Sequence, residues 1–324
     1  MGSIIEYNEM IKKGLNEISF SDGSDSLYAP VKYFLGIGGK RVRPILTLMS
    51  CSCFRCNPKL ALNAALTVEL FHNFTLIHDD IMDSANSRRG KETIHKKWGI
   101  NSAILSGDVM LIMAYQLLEN YENNTYTHLN KLLNKTAREV CEGQRMDMDF
   151  ESKSNVSFDQ YIKMVSCKTA VLLGCSLKMG AIVANASIED QENIYQFGIN
   201  LGLAFQLLDD YLDTFGEENI VGKKIGGDII KNKKTVLYHM AIINSSEAQK
   251  KDIAELYNSN DIYNKNKIAK TTLLFKKAKA DISSLELVDQ YTKKAIDSLN
   301  KLSINQNYKN ELIVFANNLM KRDL

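Results

Sequence analysis

The last proline of this 324-residue chain is Pro58, so residues 59–324 contain none. Proline is kept out of helix interiors because it lacks an N–H and its ring clashes with the preceding turn. So long a stretch without one is what a protein of long helices shows, and the spacing of apolar residues agrees. Ile4, Ile5, Met10, Ile11, Leu15 and Ile18 recur at helical intervals. Residues 45–53 and 60–81 read as buried helices, and 101–121 as a third, interrupted near Gly107-Asp108. Helices are expected over 129–150, over 158–186 behind a Ser157 cap, and over 194–215, with amphipathic helices from 235 to the end. Breaks are expected at 21–26, 36–44, 84–93, 123–125 and 222–228, where glycine, asparagine, serine or lysine collect. No strand alternation, linker or long repeat stands out. The expectation is all-α: one domain over 1–324, a large helical bundle whose core holds the site.

Composition narrows the function. A formal net charge of +2 gives no bulk attraction to nucleic acid or to a membrane surface. No apolar run reads as long enough to span a bilayer, and no signal peptide is evident. Cys51-Ser-Cys53-Phe-Arg-Cys56 lacks the second pair that a zinc site would need, so free thiols in a reducing cytoplasm are expected.

Chemistry concentrates at Leu76-Ile77-His78-Asp79-Asp80-Ile81-Met82-Asp83, followed by Arg88-Arg89-Gly90. On a helix Asp79 and Asp83 share a face one turn apart, and Asp80 neighbours Asp83. Carboxylates this close repel, and Mg²⁺ is a fitting counter-charge because it takes one or two carboxylates plus substrate phosphates. The two arginines suit diphosphate oxygens. The acid pattern returns at Asp209-Asp210-Tyr211-Leu212-Asp213. One copy alone is more often a solvated helix face. Two copies behind apolar residues suggest two acidic helices facing across a bundle. Gly36–Arg43, with Lys40, Arg41 and Arg43, reads as a glycine turn suited to an anion. A second glycine and lysine break, Gly222–Asp228, contains Lys223 and Lys224 and is closely followed by Lys231, Lys233 and Lys234.

These motifs in this order resemble the trans-prenyltransferases, the isoprenyl diphosphate synthases that include farnesyl and geranylgeranyl diphosphate synthases. The resemblance runs from Gly38-Gly39-Lys40-Arg41-Val42-Arg43-Pro44 through both acid motifs to Gly222–Thr235. It implies an all-helical fold with a deep central cavity, a homodimer, and condensation of an allylic diphosphate with isopentenyl diphosphate; no membrane insertion is expected, because no spanning segment is evident. By resemblance Asp79 and Asp83 bind Mg²⁺ on one wall and Asp209 on the other, supported by Asp80, Asp210 and Asp213. Arg88, Lys168, Lys223 and Lys233 would hold the allylic diphosphate, and Lys40, Arg43, His72 and Arg89 isopentenyl diphosphate. Thr169 and Gln206 match positions near the reacting carbons, and Gln144 and Asp147 an element beside the metals. Leaving diphosphate needs its charge neutralised, and the allylic cation left behind needs a dry apolar cavity. A class I terpene cyclase would have no use for a second cationic pocket. A non-catalytic subunit would be expected to have lost some of the six acids.

Product length is expected to depend on α-helical neighbours of Asp79. An ideal wheel puts Thr75 about 40° and Phe71 about 80° from it. The resemblance instead singles out Phe74, beside Thr75. Either ring lies roughly 7 to 12 Å below the metals at about 1.5 Å per residue. That distance favours a short product, and by resemblance Phe74 with no bulky residue at Thr75 implies geranylgeranyl diphosphate first and farnesyl diphosphate second.

Overall fold

The structure, a computed structural model, describes residues 2–20, 25–153, 155–217, 225–258 and 265–321. Helix α1 spans Ile4–Asn16, α2 Asp25–Gly36, α3 Val42–Cys53 and α4 Leu62–Met82. Next come α5 (Ile94–Trp98), α6 (Ile100–Leu118), α7 (Asn123–Ser152), α8 (Phe158–Val165), α9 (Val171–Val183) and α10 (Ile188–Phe215). A short α11 (Gly227–Ile230) precedes α12 (Val236–Asn244), α13 (Glu247–Asn258), α14 (Lys265–Lys277), α15 (Ala280–Asn300) and α16 (Gln306–Lys321).

Helix α4 runs through the interior along α6, while α10 packs between α9 and α15. Every residue of α4 from Ala64 to Phe71 is buried, so this part of the helix is enclosed all round, and the helix becomes more exposed toward its acidic end. Phe71 is fully buried; such a ring contributes about 2 kcal/mol or more by leaving water. Close backbone approach sets the spacing elsewhere. A Cβ on Gly143 would lie 2.4 Å from the Lys168 amide nitrogen, and one on Gly202 would lie 2.6 Å from the Ala170 Cα. Both glycines press on Ser166–Ala170, one π-helical turn between α8 and α9. Such turns recur at functional sites because the extra residue re-aims side chains. Here it carries Lys168 and Thr169.

The Ser157 cap is present, with its hydroxyl accepting from the Gln160 N–H and the Gln160 side chain accepting from the Ser157 N–H. Four expectations need correction. Residues 123–125 are the first turn of α7, and the break falls just before them, where Glu122 takes the cap position in extended geometry. Gly107 does not interrupt α6; it makes room for His78. A two-residue antiparallel ladder, β1 (Ser87–Arg88) with β2 (Lys91–Glu92), closes the loop after α4. Finally, Pro58–Met82, Ile100–Leu118 and Phe158–Val183 are each long and apolar enough to cross a membrane by length and composition. Counting uninterrupted apolar runs misses them because isolated polar residues leave mean hydropathy high. The first and third are 67% and 78% buried within the protein, but the second only 28%. Its outer face presents Ile104, Leu105 and Ile112 to solvent.

Candidate active site

The first acid motif closes α4. Asp80 is buried, and Arg88 grips it side-on: Nε donates at 3.0 Å to both carboxylate oxygens and an Nη group lies 2.8 Å from one of them. Asp79 is half-buried and Asp83 exposed at the helix end. Burial, with the charge of Asp83 adding, pushes the Asp79 carboxyl up to about 6 against the pull of Lys168 and Arg88.

The second motif, near the end of α10, is used differently. Asp210 is buried, accepting from the Tyr161 hydroxyl at 2.5 Å and from the Gln206 amide at 2.9 Å. Burial and the nearby Asp228 push its carboxyl up. Gln206 in turn accepts from the Thr169 hydroxyl at 3.2 Å. Asp213 is also buried; its carboxylate accepts from the Asp228 N–H at 2.9 Å and its carbonyl from the Gly226 N–H. Asp209 alone of the three is half-buried, and it lines a cavity of about 230 Å³ with Lys168, Thr169, Gln206, Asp147, Asp228 and Lys233.

Lys168 and Lys233 converge on one carboxylate. Lys168 Nζ donates to Asp147 Oδ2 at 2.5 Å, and Lys233 Nζ lies 3.9 Å from the same atom. Burial favours the neutral acid at Asp147, yet Lys233 and Lys168 outweigh it and hold the carboxyl below its usual range. Burial also disfavours the Lys233 charge, but Asp147, Asp228 and Asp83 outweigh it. The two lysines therefore stand between the motifs. They share a cavity with Asp209, Lys168 acts on Asp79, and Asp83 acts on Lys233.

A second cationic cluster sits where α3 meets α4. Arg43 lies 3.1 Å from His72 Nε2. Burial and then the Arg43 charge push His72 well below its ordinary range, so it is neutral and accepts that bond. Burial lowers Arg43 to about 10, which leaves it charged. Arg89 donates to the Gly38 carbonyl. The turn needs its glycines: Gly38 has φ +85°, and a Cβ on Gly39 would lie 2.5 Å from the Arg89 guanidinium. Arg41 turns inward instead, paired with buried Glu69 and bonded to the Leu35 carbonyl. Lys40 is exposed and lines a groove with Ile4 and Phe315.

Most sequence-derived candidates thus fall into two groups around the acid motifs. Arg88 is paired with Asp80 rather than with the lysines. Lys223 lies, with Lys224, outside the described residues. Gln144 contacts Met82 through its amide nitrogen at 3.6 Å, and its side-chain oxygen is buried without a hydrogen-bond partner. Tyr161, Glu69 and Asp228 were not singled out from the sequence. A fully buried tyrosine needs a partner for its hydroxyl, but nothing in the spacing names Asp210, 49 residues away.

The carboxylates present suit a hard divalent cation. Among the described residues no three His, Cys, Asp or Glu side chains form a ready cage.

The polyprenyl synthetase family model matches residues 24–273. The short chain isoprenyl diphosphate synthase of Methanocaldococcus jannaschii is 37% identical over 264 residues, covering 81% of this chain and 80% of that protein. The geranylgeranyl diphosphate synthase of Sulfolobus acidocaldarius is 34% identical over 304 residues, covering 92% and 91%. Among solved structures, a geranylgeranyl pyrophosphate synthase superposes with a TM-score of 0.95 at 44% identity over 99% of both chains. With two acid-ended helices, two cationic clusters and these relatives, the chain belongs to the polyprenyl synthetase family of isoprenoid synthases, and it is a prenyltransferase.

Proposed function

We propose that the protein condenses an allylic diphosphate with isopentenyl diphosphate, with Mg²⁺, and releases geranylgeranyl diphosphate. The observation that carries this is the convergence of Lys168 and Lys233 on Asp147 in the cavity that Asp209 lines. In the reading, Asp79 and Asp83 on one side and Asp209 on the other hold the metal. Mg²⁺, when bound, supplies positive charge to the departing diphosphate. Lys168 and Lys233, fixed by Asp147, neutralise the same developing charge from the protein side. Arg88 serves the allylic diphosphate from the first wall. Lys223 keeps its assignment from the sequence alone. Asp80, Asp210 and Asp213 hold the walls in place, and Gln206 keeps the Thr169 hydroxyl oriented beside the cavity.

Arg43, His72 and Arg89 form the isopentenyl diphosphate pocket, with Lys40 at its rim. A desolvated arginine beside a neutral histidine offers donors to an anion. Phe74, with Phe71 and Thr75, closes the product path along α4. The names of the relatives support geranylgeranyl diphosphate as product. Incubating the purified chain with isopentenyl diphosphate, an allylic primer and Mg²⁺ tests the reading by product length. Farnesyl diphosphate as end product would correct the length, and no condensation at all would reject the assignment.

The reading takes the whole chain as one domain, since Tyr7 and Ile11 of α1 share a core cluster with Leu312, Phe315 and Leu319 of α16. Six free thiols support a reducing cytoplasm. The exposed apolar face of α6 supports a homodimer; the expectation of no membrane insertion and no nucleic-acid partner keeps its basis in the sequence alone. Ile104→Glu should shift the sedimentation profile from dimer to monomer. A parent that is an active monomer at assay concentration rejects the dimer.

A further inference from the structure

His78 belongs to neither acid wall nor to either cationic cluster, yet it is held from several sides. It stands four residues after Phe74 and one before Asp79, on the same helix. Its ring meets Phe74 edge-on, with centroids 4.8 Å apart at 68°. Phe74 meets Phe71 at 5.6 Å, so three rings run in series from the enclosed part of α4 to its acidic end. From the other side α6 grips the histidine. His78 Nε2 lies 3.2 Å from the Ile104 carbonyl and 3.8 Å from an Asp108 carboxylate oxygen. A carbonyl only accepts, so Nε2 carries a proton and donates, which fixes the tilt of the ring. Gly107 is what allows the ring to lie there, since a Cβ at that position would sit 2.2 Å from Nε2 and 2.4 Å from Cδ2.

We propose that His78 is a positioning residue for product length: clamped by α6, its ring holds Phe74 in place as the floor of the product path. The inference rests on the reading of Phe74 as that floor. Phe71 is fully buried and Phe74 only half-buried, so Phe74 is the ring with room to move. The open space it would enter is the notch above Gly107 that His78 now fills. His78 does not touch the substrate in this scheme and acts only through its neighbour. A histidine that merely joins α4 to α6 would affect stability and leave product length alone.

The test is the product distribution of four variants, each first checked for a cooperative melt. Phe74→Ala should lengthen the product and so establishes the floor. His78→Ala should raise the share of product one isoprene unit longer by roughly five-fold, the shift that loss of one edge-to-face ring contact produces. His78→Asn keeps a donor for the Ile104 carbonyl without a ring, and should behave like His78→Ala. In the Phe74→Ala background His78→Ala should change nothing further. Parental products from His78→Ala or His78→Asn, while Phe74→Ala lengthens the product, overturn the role of His78 and leave the floor standing. Additional lengthening in the double variant also overturns it, because His78 would then line the path itself. Unchanged products from Phe74→Ala remove the floor and this inference together.

Discussion

The two acid motifs read alike in sequence but are built into the fold in opposite proportions. At the end of α4 one acid, Asp80, is turned inward onto Arg88, while Asp79 and Asp83 remain half-buried or exposed. At the end of α10 two acids are turned inward, Asp210 onto Tyr161 and Gln206 and Asp213 onto the backbone of Asp228. Half-buried Asp209 lines the cavity with the lysines, and Asp210 borders the same cavity from its buried position. The repeated spacing gives each helix the same three carboxylates, and the neighbours decide which of them remain for chemistry. One wall is thus predominantly reactive and the other predominantly structural.

The largest expected consequence is catalytic. Asp79→Ala and Asp209→Ala should each lower turnover on the order of a hundred- to a thousandfold, the scale of removing a group that stabilises developing charge, with melting temperatures near the parent. Steady-state kinetics on folded variants check this, and parental turnover in either would break the two-wall account.

Next come the two cationic clusters. Arg43→Ala should raise the KM for isopentenyl diphosphate roughly ten-fold or more, and Lys168→Ala that for the allylic diphosphate, on the scale of one charge-assisted hydrogen bond. Equal losses for both substrates in both variants would merge the pockets into one.

The structural acids should fail differently. Asp213→Ala removes the buried acceptor of the Asp228 N–H and should cost about 2 kcal/mol of stability. Denaturant melts measure it. A variant as stable as the parent but inactive would move Asp213 to the reactive set.

The smallest effect is that of pH. The Asp79 carboxyl, pushed up to about 6, keeps its proton to higher pH than an ordinary aspartate. Mg²⁺ needs the carboxylate, so its affinity should weaken below pH 6, approaching about tenfold per pH unit for one proton displaced. The sign for stability of the metal-free protein is opposite. A raised folded value means that this group's contribution is full below its unfolded pKa and is lost as pH rises through about 6. Metal titrations between about pH 5 and 8, and metal-free melts from about pH 3.5 to 7, read both.

The contrast between the walls also marks how far the sequence reaches. The missing prolines and the apolar spacing make the helices legible, and a helix wheel is enough to put Asp79 and Asp83 on one face. The wheel contains no tertiary neighbours. Arg41 stands in a cationic run with Arg43, yet it turns onto Glu69, 28 residues on, because that buried carboxylate needs a counter-charge. Lys168 resembles any helix lysine until the π turn and Gly143 bring it to Asp147. Asn123 and Asn124 look like a break because asparagine favours turns, but at the first turn of a helix its cost is small. The apolar face of α6 is indistinguishable in sequence from the buried faces of α4 and α9, since composition does not say which surface finds a neighbour.

The unequal use of the two motifs is tested most directly by calorimetric binding of an uncleavable allylic thiodiphosphate, with and without Mg²⁺, to the parent and to Asp79→Ala, Asp209→Ala and Asp213→Ala. The account predicts that Mg²⁺ strengthens binding to the parent and to folded Asp213→Ala, and that this gain disappears in the other two. A parental gain in Asp79→Ala or Asp209→Ala, or a loss confined to Asp213→Ala, would contradict it.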